Sequence, residues 1–264
     1  MRQSFLVQMS PRTLTGVFAL GLAILGLAIS LPRGLEAQAG RDSARGLTPL
    51  TRGEVIARVG REKADLSSAD LSGVDLSGVD FNQADLTGSK LAGANLTKAK
   101  MFGVTLNRAQ AQHANFTEAV LDVAVMRGAN LQGAILKGAS LYATILIGAD
   151  LTNADLTNAR IIAALTGAKL SGATLAGANL GADKGNQPMG VMFTNMTDSD
   201  LSGANLNGAD LRKVDFTRAN LTGADLTGAD VSLANFSGTI LKSVRGRDKM
   251  IGWDKARNTD QAVF

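Results

Sequence analysis

The chain has no cysteine and a single histidine, His113. Disulfide staples and thiolate metal sites are therefore excluded, and a histidine-based metal centre lacks its ligands. Aromatic residues make up 4% of the chain, with one Trp and one Tyr, so any core must be narrow and aliphatic. Proline is scarce as well: Pro11, Pro32 and Pro49 lie near the start, and only Pro188 falls further on. A formal charge of +4 identifies no polyanionic partner by itself. Phosphate-binding loops, dinucleotide fingerprints and nucleophile elbows are missing. What is abundant is glycine, 30 residues of it, falling at regular intervals.

Those intervals belong to a repeat. From Leu66 to Leu241 the chain repeats every five residues, as in the run LSGAN LNGAD LRKVD FTRAN LTGAD LTGAD over 201–230. A large apolar centre is followed by Ser or Thr, then often Gly, then a small residue, then Asp or Asn. The centres Leu66, Leu71, Leu76, Phe81 and Leu86 begin a series that holds to Ile161. A helix needs apolar positions three or four apart and a strand needs them two apart, so period five fits neither. It is a solenoid signal: one unit cannot bury its own centre, but stacked coils can.

In these residues the chain resembles the pentapeptide-repeat family, whose motif is A(D/N)LXX. The resemblance implies an all-β solenoid, a right-handed quadrilateral β-helix with four units per coil. The centres then make about nine coils, roughly 40 Å at the ~4.8 Å spacing of paired strands. Short terminal capping helices are expected to cover its ends.

Taken in order, residues 1–39 have the pattern of a secretory signal. Arg2 and Arg12 precede an apolar run from Leu14 to Leu31, and Ala37-Gln38-Ala39 fits a small-x-small cleavage site before Gly40. Left uncleaved, the same run would be an N-terminal anchor. Residues 40–63 form a linker and an N-terminal capping helix. Within it Thr51 and Glu54 have capping-box spacing, and Val55, Ile56 and Val59 supply an apolar face that Gly60 ends. The repeat column is expected over 64–243. It slips by one residue at Leu165, and residues 181–190, with Pro188, form a loop before the register returns at Val191. Residues 244–264 carry Met250, Ile251, Trp253, Ala256 and Val263 among charges, which suits a C-terminal capping helix. Trp253 is a cap contact or, as in family members that dimerise through a C-terminal module, a homodimer contact.

Chemistry is hard to find. The aspartates each precede a centre, so the repeat accounts for them, and nothing marks one carboxylate as a shifted acid or base. His113 sits on a corner. No catalytic, cofactor-binding or metal-binding residue is assigned, and nucleic acid is not an expected partner.

Counting every fourth unit gives four outward ladders. Lysines and arginines interrupt the series Asp70, Lys90, Gln110, Asn130, Asp150, Lys169 and the series Asp80, Lys100, Val120, Ser140, Arg160, Asn179. The series Asp75, Asn95, Asn115, Ile135, Asp155, Thr174 is mostly neutral. The fourth, Asp65, Asp85, Thr105, Val125, Ile145, Ala164, turns apolar halfway along. Val123, Tyr142 and Ile147 lie near it. An outward apolar cluster on a polar column marks a contact surface, so Val123, Val125, Tyr142, Ile145, Ile147 and the loop residue Pro188 are the candidate partner surface. The expected function is an exported, non-catalytic scaffold that binds an unknown protein. Its expected address is periplasm or thylakoid lumen, without membrane attachment once the signal is cleaved. The alternative implied by the family is a DNA mimic that binds a type II topoisomerase such as gyrase.

Overall fold

The computed structural model describes residues 49–60, 63–182 and 192–264. Residues 1–39, read from the sequence as an export signal, the linker to residue 48 and Pro188 lie outside the described residues.

A regular five-residue unit with Asp or Asn before its centre places all of its backbone N–H groups. In the unit Leu201 to Asn205, the Leu201 N–H donates to Asn220 of the next coil at 2.7 Å, and Gly203 donates to Thr222 at 2.8 Å. Asn205 donates back to Ala173 at 2.9 Å, and Ala204 closes a turn onto the Leu201 carbonyl at 3.0 Å. The remaining donor, on Ser202, is taken by the side chain of Asp200 at 3.0 Å. The Asp or Asn before each centre is thus an Asx-turn acceptor that satisfies an otherwise orphaned N–H. The same bond recurs at Asp70 with Ser72, Asn95 with Thr97 and Asp225 with Thr227. The third residue of each turn has a positive φ, +66° at Gly203, which is why glycine suits that position.

Bridges pair each unit in parallel with the unit one coil on, and they run along the four ladders that counting gives. Ladder one links Asp65, Asp85, Thr105, Val125, Ile145, Ala164, Asn195, Asp215, Asn235 and Arg257. Ladder two starts at Asp70, ladder three at Asp75 and ladder four at Asp80. Inside, the Leu, Phe and Met centres and the small residue two before each are buried in one continuous core.

At the one-residue slip the turn is lost and the chain straightens. Strand β1, Ser140–Ile145, pairs in parallel with β2, Arg160–Ala164, and the register shifts between Tyr142 and Ile145 to absorb the missing residue. Above β2, ladder one passes from Ala164 to Asn195. The Thr194 hydroxyl, itself buried, lies within hydrogen-bond reach of the Ile161 and Leu180 carbonyls and ties the chain back into the column.

Helix α1, Arg52–Val59, has a complete capping box between Thr51 and Glu54. It buries Val55 over the first coil, while Arg52 donates to the carbonyls of Asp75 and Ser77. Ile56, expected on the same face, is exposed instead; Leu50 and Val59 pack beside Val55.

The C-terminal segment departs from expectation. Residues 244–264 form no amphipathic helix but a further coil of three 3-10 turns, Arg247–Lys249, Trp253–Lys255 and Thr259–Gln261. Each turn follows a left-handed residue, Gly246, Gly252 or Asn258, and that geometry breaks a continuous helix. Arg245, Ile251, Arg257 and Val263 still bridge to the coil below, now six residues apart. Trp253 lies 5.1 Å from the Phe236 ring, which stacks on Phe216 at 5.5 Å; Phe264 meets Trp253 edge-on at 6.2 Å. The Arg247 guanidinium sits 3.8 Å above the Phe264 ring.

Candidate functional site

The four corners of the column are not equivalent. On three of them, the third turn residue is glycine in five or six of the described coils. In the regular coils below the C-terminal one, the corner between ladders four and one has glycine at Gly103, and the last coil turns there at Gly252; Gln83, Val123, Ala143, Lys213 and Leu233 take the slot at φ between +56° and +64°. A side chain in this conformation costs about 1–2 kcal/mol, and a β-branched one such as Val123 is a real outlier. Backbone strain of this kind collects where a surface has a task.

Exposure follows the same line. Away from the column ends, the exposed large hydrophobic residues among those described are Phe102, Val120, Val123, Phe193 and Leu233, each 40–50% accessible. All five lie on this corner or on ladder four beside it. Two recesses open along it. One of about 230 Å³ is lined by Ala143, Ile145, Ile162, Met192 and Phe193 among others. The next, about 340 Å³, is lined by Phe193, Lys213, Leu233 and Arg257.

The candidates from sequence fall around this edge. Val123 is on it and exposed. Tyr142 is half-buried there, with the Arg160 guanidinium 4.4 Å from its ring centroid. Val125 and Ile145 are half-buried bridge partners on the adjoining ladder one. Ile147 begins the next corner, on the far side of that ladder. Trp253 belongs to the aromatic end of the column rather than to the edge. Phe102, Phe193 and Leu233 were not expected. Their signal was an apolar residue in a turn position, not in the Asp/Asn position.

Local bonding compensates for the lost Asx turns. Where Ser140 replaces Asp, the Tyr142 N–H donates to Asp122 Oδ1 of the coil below at 3.0 Å. Where Val125 does, Arg127 N–H donates to Asn107 Oδ1 at 3.0 Å. The ladders therefore turn apolar without leaving these donors orphaned.

Elsewhere on the surface several charges are paired. Lys90 lies 3.6 Å from Asp70, Lys100 lies 4.0 Å from Asp80, and Arg245 lies 3.7 Å from Asp225. Arg218 forms a two-bond contact with Asp198. Such exposed, solvent-screened pairs contribute little to stability. The backbone N–H of Ser72 holds Asp70 below the usual carboxylate range against desolvation, with Lys90 adding to it. Asp225 is lowered by the Thr227 hydroxyl and backbone N–H, and then by Arg245. A depressed folded-state pKa contributes stability above the unfolded pKa, and that stability is lost as pH falls through the folded value. The melting temperature is therefore expected to stay flat from neutrality to about pH 5 and to fall progressively below about pH 4. A midpoint independent of pH down to about 3 would contradict the Asx-turn account.

His113 lies in a turn slot of its own corner, where a Cβ on Gly133 would come within 2.6 Å of its Nδ1. It packs against the backbone of the next coil. Among the described residues no group of His, Asp and Glu is arranged to hold a metal ion.

No curated protein matches the chain. Among solved structures, HetL, a pentapeptide repeat protein involved in heterocyst differentiation regulation from the cyanobacterium Nostoc sp. strain PCC 7120, is 25% identical. The match covers 81% of this chain and 94% of HetL, with a TM-score of 0.31. A trypsin-treated form of QnrB1, a plasmid-mediated fluoroquinolone resistance protein, is 19% identical over 72% of this chain and 83% of its own, TM-score 0.34. A pentapeptide repeat protein of the Arabidopsis thaliana thylakoid lumen is 26% identical over 54% of this chain and 68% of its own, TM-score 0.23. The family profile described as pentapeptide repeats matches in 8 copies over residues 64–103, 105–141, 134–164 and 194–232. These segments take in more than half of the chain, which belongs to the pentapeptide-repeat family.

Proposed function

We propose that this protein is an exported, non-catalytic scaffold whose apolar edge binds another protein. The column is right-handed and holds about nine coils in this reading, with its working surface running along the corner between ladders four and one. The observation that carries the proposal is the concentration of Phe102, Val120, Val123, Phe193 and Leu233 on one edge of an otherwise polar column. An apolar strip on a rigid scaffold is a usual mark of protein contact. Val125, Tyr142 and Ile145 widen the strip onto the neighbouring ladders.

The DNA-mimic reading asks for long acidic ladders presented to a topoisomerase. Cations one coil away offset Asp70, Asp80 and Asp225, so that reading is the weaker one. We assign Trp253 to the end plug, since its ring packs at a tilt against Phe236, and a homodimer through the C-terminal segment is the competing role. Export rests on the basic start, the apolar run and the Ala37-Gln38-Ala39 site, and it implies periplasm or thylakoid lumen as the address.

One experiment tests these points. The mature protein is purified from its host, its N-terminus is sequenced, and the same chain serves as bait in its own compartment. Gly40 is the expected first residue. The Val123→Asp/Leu233→Asp variant is expected to keep its melting temperature within a few degrees and to lose capture about tenfold or more. Unfolding of this variant would move both residues into the core, and unimpaired capture would move the binding surface elsewhere. Recovery of intact Met1 from a soluble cytoplasmic fraction would overturn export.

A further inference from the structure

The recess of about 340 Å³ near the C-terminal end of the edge alternates in character. Phe193, Lys213 and Leu233 occupy successive coils on the corner, and Arg257 stands on ladder one a coil beyond Asn235. Adjacent coils are about 4.8 Å apart, so the wall presents apolar, cationic and apolar groups in turn over roughly 10 Å. Phe193 and Leu233 are among the most exposed apolar side chains in the molecule. Lys213 and Leu233 hold φ of +64° and +62°, where glycine would be relaxed.

Three nearby arginines are paired with carboxylates. Arg212 bonds Asp210, Arg218 bonds Asp198 and Arg245 faces Asp225. Neither Lys213 nor Arg257 has a carboxylate within ion-pair distance among the described residues. Arg257 donates its Nε to the Leu233 carbonyl at 3.1 Å, which fixes its stem beside the recess and leaves the terminal nitrogens of its guanidinium for another acceptor.

We infer that this recess binds an extended acidic–apolar segment of a partner protein, with two carboxylates meeting Lys213 and Arg257 and apolar side chains lying against Phe193 and Leu233. The inference rests on the binding-scaffold reading and adds the chemistry of the partner. Two separated cations call for two carboxylates, and a single amphiphile such as a fatty acid supplies one. An extended peptide places alternate side chains on one face about 6.6 Å apart against about 4.8 Å between coils, so acidic and apolar residues alternating on that face meet the wall through the reach of the long Lys213 and Arg257 side chains.

The probe is a fluorescein-labelled peptide Phe-Ser-Asp-Ser-Leu-Ser-Asp, titrated against the mature protein by fluorescence anisotropy. Its companions carry Asn for Asp, Lys for Asp, or Ser for Phe and Leu, and dodecanoate serves as a competitor. The parent peptide is expected to bind at least about tenfold more tightly than each companion. Lys213→Glu combined with Arg257→Glu is expected to reverse the preference toward the Lys peptide. Lys213→Gly, in a slot that suits glycine, keeps the fold and is expected to weaken the parent peptide several-fold. Equal binding of the Asp and Asn peptides, displacement by dodecanoate with no peptide preference, or no binding up to about 1 mM would overturn the inference. Should the peptides fail while edge substitutions still abolish capture, only the partner chemistry falls. Should capture ignore the edge, the scaffold reading falls with it.

Discussion

Replacing Leu131 with Asp is expected to destabilise the column by about 4 kcal/mol or more. Leu131 is a mid-column centre with no solvent exposure, and its coil hydrogen-bonds to the next through its own N–H onto Asp150 at 2.6 Å. A carboxylate there enters an apolar stack in which the groups around it offer no partner. Protonating it removes the charge and still leaves an unsatisfied polar group. Because each coil touches only its neighbours, the damage does not spread evenly. The coils on either side lose their shared interface, so unfolding in urea is expected to begin earlier and to become broader or two-stepped. Leu131→Ala, which leaves a cavity without a charge, is expected to cost about 2–4 kcal/mol and to keep one transition. Far-UV circular dichroism through a urea titration measures both. An unchanged midpoint for Leu131→Asp would mean that the centres do not line the core.

Much of the fold was legible because the repeat writes one physical rule many times. The centre must be large and apolar, the residue two before it small, and the one before it able to accept an N–H. Counting units therefore assigned residues such as Asp70, Lys90 and Gln110 to one ladder, and the bridges follow that assignment. The N-terminal cap was legible for a different reason: Thr51 and Glu54 form a local motif whose two bonds need no tertiary information. The C-terminal coil was obscured by its change of period. Gly246, Gly252 and Asn258 stand six apart and mark the turns, while Met250, Trp253 and Ala256 spread among charges imitate helical spacing. The exposed edge escaped for a related reason. Val125 and Ile145 stand out because they replace Asp or Asn at a position whose role is easily named. Val123, Lys213 and Leu233 replace glycine, which many residues do in a tolerant turn, and only when the φ values and exposures of all four corners are compared does the edge separate from the others.

That comparison leads to the second large effect, in which stability and binding move in opposite directions. The triple variant Phe102→Ser, Val123→Gly and Leu233→Gly is expected to be more stable than the native chain and to lose capture of its partner by about a hundredfold or more. Glycine at the two left-handed positions relieves about 1–2 kcal/mol of strain each and returns part of it as added freedom of the unfolded chain, for a net gain near 1 kcal/mol per site. Serine at the exposed Phe102 position changes stability little, because its N–H keeps the bond to Asn82 Oδ1 at 2.8 Å whatever the side chain. Binding responds otherwise: three exposed apolar side chains on one edge are removed together, and contacts of this kind are worth about 1–2 kcal/mol each when a partner covers them. A purely structural role for these residues cannot produce that pair of signs. If the triple variant melts below the native chain, its side chains are packed against something and the edge is not free. If it melts higher yet captures the partner as before, the strained corner serves no contact, and the binding surface must be sought on another face of the column.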